Sequence, residues 1–344
     1  MSFKKDILII NNCPAFYKIN LYNEIAKHKE IFVVFLGLSD QVVAGIEFKQ
    51  KIKFPYILLN EFQVEKRSFF RTLFAIANII LKMKPSKIIY GGYIEKELLL
   101  LSFFNSKSKN ILQTETASET NLSGWKYWIK LILLSRYSKA LVSGTIHATM
   151  LKKMKFNGQI VITKGVGFIE KTQIVNNVKQ KNNPLRFLYI GRLIKLKNLN
   201  ILIEVFNDLG LPLTIVGRGV LKNELESKAK SNIKFEGFID NTRINNLYNQ
   251  NDIFILPSLS EPWGLVVEEA LYYGLPIIAS NRVGSYPELV TDHNTGVTFD
   301  PLNKESLKNA IYMLINNFDY YKNNVDNFDF VKKDSIQLNA YISL

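Results

Sequence analysis

Glu261-Pro262-Trp263-Gly264-Leu265-Val266-Val267-Glu268-Glu269-Ala270 is the stretch on which the reading of this chain turns. It follows 252–256, a short apolar run with the pattern of a buried strand, and it opens a helical pattern over 265–273. Glu261 and Glu269 stand eight positions apart with a Pro and a Gly between them, so one carboxylate falls on a loop and the other inside the helix. The helix starts between them. Its first N–H groups have no partner within the helix and carry the positive end of its dipole. Such an end attracts anions, phosphate above all. Glu268 lies about 100° around the helix from Glu269, and is expected to be exposed or to sit near the phosphate end.

Outward from this stretch, short apolar runs alternate with helical patterns. Strands are expected at 186–190, 213–216, 233–235, 252–256 and 276–279, and helices at 198–209, 221–230, 243–248, 265–273 and 286–289. The first half repeats the theme, with strands at 7–10, 31–36, 87–90, 111–112 and 140–143 and helices at 16–29, 70–83 and 95–104. Runs apolar throughout, bounded by polar or Gly turns, suit parallel strands covered on both faces. Their alternation with helices predicts an α/β fold of doubly wound units. The polar, Pro-ended stretch 176–184 reads as a linker. The expected organisation is two Rossmann-like doubly wound domains, 1–172 and 173–325, facing a central cleft, with 326–344 packing back on the first. Ligands of such sheets bind beyond the carboxyl ends of the strands.

A chain of 344 residues suits two domains of ordinary size, and a hydrophobic content of 47% argues against disorder. Lys and Arg number 44 against 30 Asp and Glu, a net charge of +14, so the surface attracts anionic substrates, anionic lipid or nucleic acid. The cations are dispersed and no nucleic-acid-binding signature accompanies them, so no nucleic-acid partner is expected. The single Cys13 excludes an internal disulfide and fits a reducing compartment. Lying just after an apolar strand with no His nearby, it reads as small buried filler. The first apolar run is too short for a signal peptide, and no run of about 18 apolar residues is present to span a membrane. The expected location is the cytoplasm.

Two cations accompany the opening stretch. Gly191-Arg192-Leu193 follows the strand at 186–190, and Lys197 comes five residues past Arg192. At a Gly turn by the mouth of a helix, an Arg that binds two phosphate oxygens and a Lys that adds a point charge make a diphosphate clamp. A solvated basic helix start, with Lys195 beside it, is the plainer alternative. Val216-Gly217-Arg218-Gly219 repeats the strand-then-glycine pattern without the third Gly of a dinucleotide fingerprint. It either brings backbone close to a ligand or makes an ordinary tight turn. Phe235-Glu236-Gly237-Phe238-Ile239 sets a Gly between aromatics, where backbone groups meet a flat base or a strand simply ends. Two carboxylates beside a phosphate site suit a ligand bearing hydroxyls and a phosphate, and a nucleotide sugar fits. No Asp-x-Asp motif appears, so neither metal nor other cofactor is expected; the nucleotide-diphosphate sugar is a substrate.

Residues 185–300 resemble the donor-binding domain of glycosyltransferase family 4, the retaining enzymes of GT-B fold. The resemblance runs through Gly191-Arg192-Leu193 with Lys197, Val216-Gly217-Arg218-Gly219, Phe235-Glu236-Gly237-Phe238 and Leu256-Pro257-Ser258. It continues through Glu261 to Ala270, Gly274-Leu275-Pro276 and Gly284 with Pro287-Glu288-Leu289-Val290. In that family the positions matching Arg192 and Lys197 bind the donor diphosphate. The one matching Glu261 contacts the transferred sugar, and the one matching Glu269 holds the ribose hydroxyls. The resemblance thus implies Glu261, Arg192 and Lys197 as the catalytic set. Around the donor it implies Gly191, Gly217, Gly219, Phe238, Ile239, Gly264, Leu265, Val266 and Glu269, with the 264–266 amides on the phosphates. Asn198 stands where the family often has Gly, and Ser285 where a second Gly is usual.

The first half matches more loosely. Pro14-Ala15-Phe16-Tyr17-Lys18-Ile19-Asn20, Ile88-Ile89-Tyr90-Gly91-Gly92-Tyr93 and Ala140-Leu141-Val142-Ser143-Gly144 resemble elements of members that modify surface polysaccharides. This implies Tyr17 and Gly92 on the acceptor side. Many members carry a His after the strand at 111; here the segment reads Gln113-Thr114-Glu115-Thr116-Ala117-Ser118-Glu119-Thr120, leaving Glu115 or Glu119 for the acceptor side. His147, at a helix start, reads as structural. The implied activity is transfer of a sugar, with retention by front-face attack, from a nucleotide-diphosphate sugar to a glycan or lipid-linked acceptor in lipopolysaccharide or capsule synthesis. Two rivals stay open: a sugar-nucleotide epimerase of GT-B-like fold and a non-catalytic nucleotide-sugar-binding module. The stretch 121–139 mixes Trp125, Tyr127, Trp128 and Ile132 with Lys126, Lys130, Arg136 and Lys139. That pattern suits a helix on an anionic membrane surface as well as a core helix, and peripheral attachment to the inner face of the cytoplasmic membrane stays open with it.

Overall fold

The computed structural model describes residues 6–39, 47–91, 95–115, 125–171, 182–239 and 241–344. The chain divides into two compact units, Met1–Glu170 with Val331–Leu344, and Lys171–Phe330.

The first unit is built on β1 (Ile7–Asn11), β2 (Ile31–Phe35), β3 (Tyr56–Leu58), β4 (Lys87–Gly91), β5 (Asn110–Thr114), β6 (Lys139–Val142) and β7 (Gln159–Ile162). All seven run parallel, in the order β3-β2-β1-β4-β5-β6-β7. Its helices are α1 (Phe16–Ile25), α2 (Glu47–Lys51), α3 (Phe69–Met83), α4 (Lys96–Phe103), α5 (Trp125–Leu134) and α6 (Thr145–Lys153). Because strand side chains alternate between faces, each strand supplies two cores. Leu8, Ile10, Ile88 and Tyr90 meet Ile76 and Ile80 of α3, Leu98 and Leu101 of α4, Leu134 of α5 and Leu151 of α6. The intervening Ile7, Ile9 and Ile89 face the other way, toward Ile19, Tyr22 and Ile25 of α1.

The second unit has β8 (Phe187–Ile190), β9 (Leu213–Val216), β10 (Ile233–Gly237), β11 (Ile253–Leu256), β12 (Ile277–Ser280) and β13 (Gly296–Phe299). These are parallel in the order β10-β9-β8-β11-β12-β13. Helices α7 (Leu199–Leu209), α8 (Lys222–Lys228), α9 (Asn241–Gln250), α10 (Leu265–Tyr272), α11 (Lys304–Asn316) and α12 (Phe318–Asp326) complete it. The chain then returns as α13 (Phe330–Ile342), whose Ala340 and Tyr341 join the α1 core of the first unit.

Four expectations shift. α1 closes at Ile25 rather than 29, because Lys27, His28, Lys29 and Glu30 offer no apolar face to bury. β3 and β7 escape the periodicity reading because they are short, half-exposed edge strands. The short helix expected at 286–289 is a π turn over Pro287–Thr291. Cys13, read as buried filler, is half-buried; burial still pushes its thiol up from the ordinary value.

In both units the strand order reverses at one point, between β1 and β4 and between β8 and β11. Loops leaving neighbouring strands at such a point run to helices on opposite faces of the sheet and open a crevice between them.

Candidate functional site

In the second unit the two loops at the switch point carry the two halves of the candidate donor site. Lys197 ends a single 3-10 turn, Lys195–Lys197, after β8. Glu261 lies on the loop after β11. Lys197 Nζ and Glu261 Oε2 form an ion pair, both side chains largely buried, and Leu259 N donates to Leu196 O at 2.8 Å beside it. Arg192 is exposed on the turn that leaves β8. Asn198 takes a left-handed conformation with φ +57°, and its Nδ2 donates to Pro301 O at 2.8 Å. Asn tolerates that region better than other residues with a side chain, so a residue other than Gly is accommodated there.

Glycines let the loops after β8 and β9 touch. A Cβ at Gly217, whose φ is +144°, would run into the Gly191 carbonyl oxygen, and one at Gly219 into that of Leu193. Backbone bonds therefore continue past the strand ends: Gly191 N to Val216 O at 3.0 Å, Leu193 N to Arg218 O at 2.9 Å, and Gly217 N to Gly237 O at 2.7 Å. Beyond β10, Phe238 is exposed and Arg218 lies over its ring, 4.8 Å from the centroid. Ile239 follows it, half-buried.

The loop before α10 is laced to the segment after β12. Glu261 N donates to Arg282 O at 3.2 Å, Gly284 N to Glu261 O at 2.9 Å, and Ser285 N to Trp263 O at 3.1 Å. Gly264, at φ +90°, turns the chain into α10, so the N–H groups of Leu265 and Val266 stand at the helix N-terminus, beside Glu261. Glu268 corrects its expectation. It is fully buried rather than exposed, and the indole Nε1 of buried Trp263 donates to its Oε2 at 3.4 Å. Trp263 lies beneath the loop, so the face that carries Glu268 turns inward.

Glu269 is half-buried on the next face. The Tyr248 hydroxyl donates to its Oε2 at 3.2 Å, and the Tyr248 ring stacks on Tyr273 at 4.6 Å with 12° between planes. Burial pushes the Glu269 carboxyl up from the ordinary value to about 7; the Tyr248 hydrogen bond opposes this and neighbouring Glu268 adds to it. Tyr248, Trp263 as a buried anchor, and the Arg218–Phe238 stack escaped sequence reading. Helical spacing alone places Tyr248 in the core and carries no sign that its hydroxyl serves a carboxylate.

In the first unit Glu115 follows β5 and forms an ion pair with Lys18, which is almost wholly buried in the first turn of α1. Tyr17 adjoins this pair: Lys18 Nζ sits over its ring at 5.6 Å from the centroid, and its carbonyl accepts from Phe168 N at 3.0 Å. Burial and Glu115 push the Tyr17 hydroxyl well above its ordinary value. His147 is fully buried, and its Nε2 meets the Glu115 carbonyl at 3.1 Å, so it holds the backbone after β5. Lys18 is the residue that sequence reading passed over. At the first switch point Asn12 Nδ2 donates to Glu95 Oε1 at 3.0 Å, and Arg67 bridges Glu95 and Glu97. Gly92 and Glu119 lie outside the described residues.

Two parallel Rossmann-like sheets, one with a cation, a carboxylate pair and a helix end at its switch point, define a recognisable class. Residues 170–327 match the family model described as glycosyl transferases group 1. The chain is 26% identical over 234 residues to an uncharacterized 41.2 kDa protein in the cps region of Klebsiella pneumoniae, covering 62% of this chain and 64% of that one. It is 31% identical over 175 residues to a glycogen synthase of Mycobacterium tuberculosis, covering 45% of this chain and 42% of that one. The chain thus spans less than two thirds of the length of these relatives. Among solved structures, the lipopolysaccharide outer core galactosyltransferase WaaB superposes with a TM-score of 0.72 at 15% identity, over 98% of this chain and 99% of that one. Anabaena Alr3699/HepE, solved with UDP and glucose, gives 0.69 at 16% identity over 99% and 100%. The fold is that of the GT-B glycosyltransferases.

Proposed function

We propose that the protein is a retaining glycosyltransferase that moves a sugar from a nucleotide-diphosphate sugar to a glycan or lipid-linked acceptor in the synthesis of a cell-surface polysaccharide. The observation that carries this reading is the meeting, at one switch point, of the Lys197–Glu261 pair, the N-terminus of α10 and Glu269. A cation and a helix end suit the diphosphate, and Glu269 accepts from ribose hydroxyls. We assign Glu261 to the transferred sugar. The cps-region relative and the lipopolysaccharide galactosyltransferase neighbour favour a surface glycan as product.

In this reading the bond from the sugar's anomeric carbon to the diphosphate breaks, and one from that carbon to the acceptor hydroxyl oxygen forms on the same face. The acceptor proton passes to the departing phosphate oxygen. Arg192, Lys197 and the amides of 264–266 stabilise the charge growing on the diphosphate, usually the largest catalytic contribution of such a site. On the acceptor side we assign Tyr17 and Glu115, with Lys18 holding the carboxylate. No metal takes part; activity lost in EDTA and restored by Mn²⁺ would sink that statement.

A panel of nucleotide sugars, scored by donor hydrolysis and thermal shift, tests the reading. Sugar released from one donor, with the anomeric configuration kept, supports it. An isomerised donor means an epimerase, and binding without turnover means a binding module.

A further inference from the structure

The net charge is not shared between the units. The first carries 27 Lys and Arg against 13 Asp and Glu, the whole difference of +14; the second carries 17 of each and is neutral. Within the first unit, 69–91, 98–114 and 125–169 contain no Asp or Glu at all. These segments include α3, nearly all of α4, α5 and α6, the helices packed on one face of the sheet.

On that face α3 has two apolar sides. Thr72, Ile76 and Ile80 point inward and are buried. Phe70, Phe74 and Leu81 are 67%, 68% and 72% exposed. At 100° per residue these three fall within about 40° of one another, a ridge of roughly 16 Å along the helix. Arg71, Asn78 and Lys82, all exposed, flank the ridge on one side at about 80–120°. α4 packs beside α3 and adds Phe104 at its end, 82% exposed. Trp128 and Ile132 of α5 are exposed while its Leu134 is in the core, so α5 is both a core helix and a surface one. No helix among the described residues is long and apolar enough to cross a membrane.

We propose that α3, with the end of α4 beside it, seats the first unit on an anionic lipid surface: Phe70, Phe74 and Leu81 enter the headgroup boundary, and Arg71 and Lys82 meet lipid phosphates. An apolar ridge beside cations is the pattern of a helix lying in a membrane interface. The charge decides between lipid and a second copy of this chain. A symmetric dimer through α3 would set two strongly positive faces against each other, whereas anionic headgroups complement them. The proposal deepens the function above, resting on it for the lipid-linked acceptor, yet docking is measured apart from transfer.

The full-length protein is sedimented with vesicles of phosphatidylcholine alone and of equimolar phosphatidylcholine and phosphatidylglycerol. Binding to the anionic vesicles alone, weakened by salt, is expected. Phe70→Ser/Phe74→Ser should lower that binding about tenfold or more, and Arg71→Gln/Lys82→Gln roughly thirtyfold at low salt. Equal binding to neutral vesicles, no binding to anionic ones, or variants that bind like the original chain overturn the proposal. So does self-association in sedimentation velocity that Phe70→Ser/Phe74→Ser abolishes, which makes the ridge a contact between copies. Thermal shift with nucleotide sugars on the same preparations reads the donor site by itself, so loss of docking and loss of the donor reading are told apart.

Discussion

Lys197 and Glu261 form an ion pair that joins the loops following β8 and β11, each the partner of the other's charge in a largely buried setting. Removing one partner strands the other. Lys197→Met should therefore lower both thermal stability and donor turnover, the latter about tenfold or more. Lys197→Met/Glu261→Gln, which leaves no lone charge, should recover the melting temperature and not the turnover. Calorimetry and donor hydrolysis on the two variants decide it; a double variant as unstable as the single one removes the pairing argument.

Arg192 reaches solvent. Arg192→Ala should leave the melting temperature unchanged and reduce turnover by an order of magnitude or more. Near-normal kinetics would refute its place in the clamp.

Glu269 titrates near neutrality, with a pKa of about 7 against an ordinary 4.5. Its folded-state value is the higher one, so the folded chain holds the proton more tightly. The stability this contributes is complete below about pH 4.5 and is lost as pH rises to about 7, a change on the order of 3 kcal/mol. Nucleotide binding should run the opposite way and tighten through pH 7, because the ionised carboxylate is the better acceptor for ribose hydroxyls. Glu269→Gln should flatten both profiles. Glu269→Ala should chiefly weaken nucleotide binding, measured by calorimetric titration. Tyr248→Phe removes the hydrogen bond that favours the ionised form and should move the binding midpoint to higher pH.

Gly217 has no room for a side chain. Gly217→Ala drives a Cβ into the Gly191 carbonyl and adds strain at φ +144°, together about 3 kcal/mol or more. The melting temperature should fall by roughly 2–4 °C for each kcal/mol. An unchanged melting temperature would show that the β8 and β9 loops separate freely.

The central strands of both sheets were legible through their apolar runs; the edge strands β3 and β7 were not, since each is short and only partly buried. At the candidate donor site, the placement of Glu261 on a loop, Gly264 at the turn and Glu269 inside the helix was legible from their spacing. Lys197 was legible as a cation and not as the partner of Glu261, because the pair spans 64 positions. Glu268 was misread because a helical wheel gives direction without saying what lies there, and here Trp263 does. Lys18 was hidden by its type: a Lys in a first helical turn is ordinarily solvated, and here Glu115, 97 positions away, makes its burial tolerable.

The backbone links that run past the ends of β8, β9 and β10 bear on protein engineering. The loops that frame the candidate donor site are held main chain to main chain, so their course does not depend on the outward side chains of Arg218, Val220 and Phe238, all of them exposed. Those three positions form a small combinatorial library on a rigid chassis. Randomising them while leaving Gly191, Gly217 and Gly219 untouched should alter which donors are accepted and still yield folded protein in most clones.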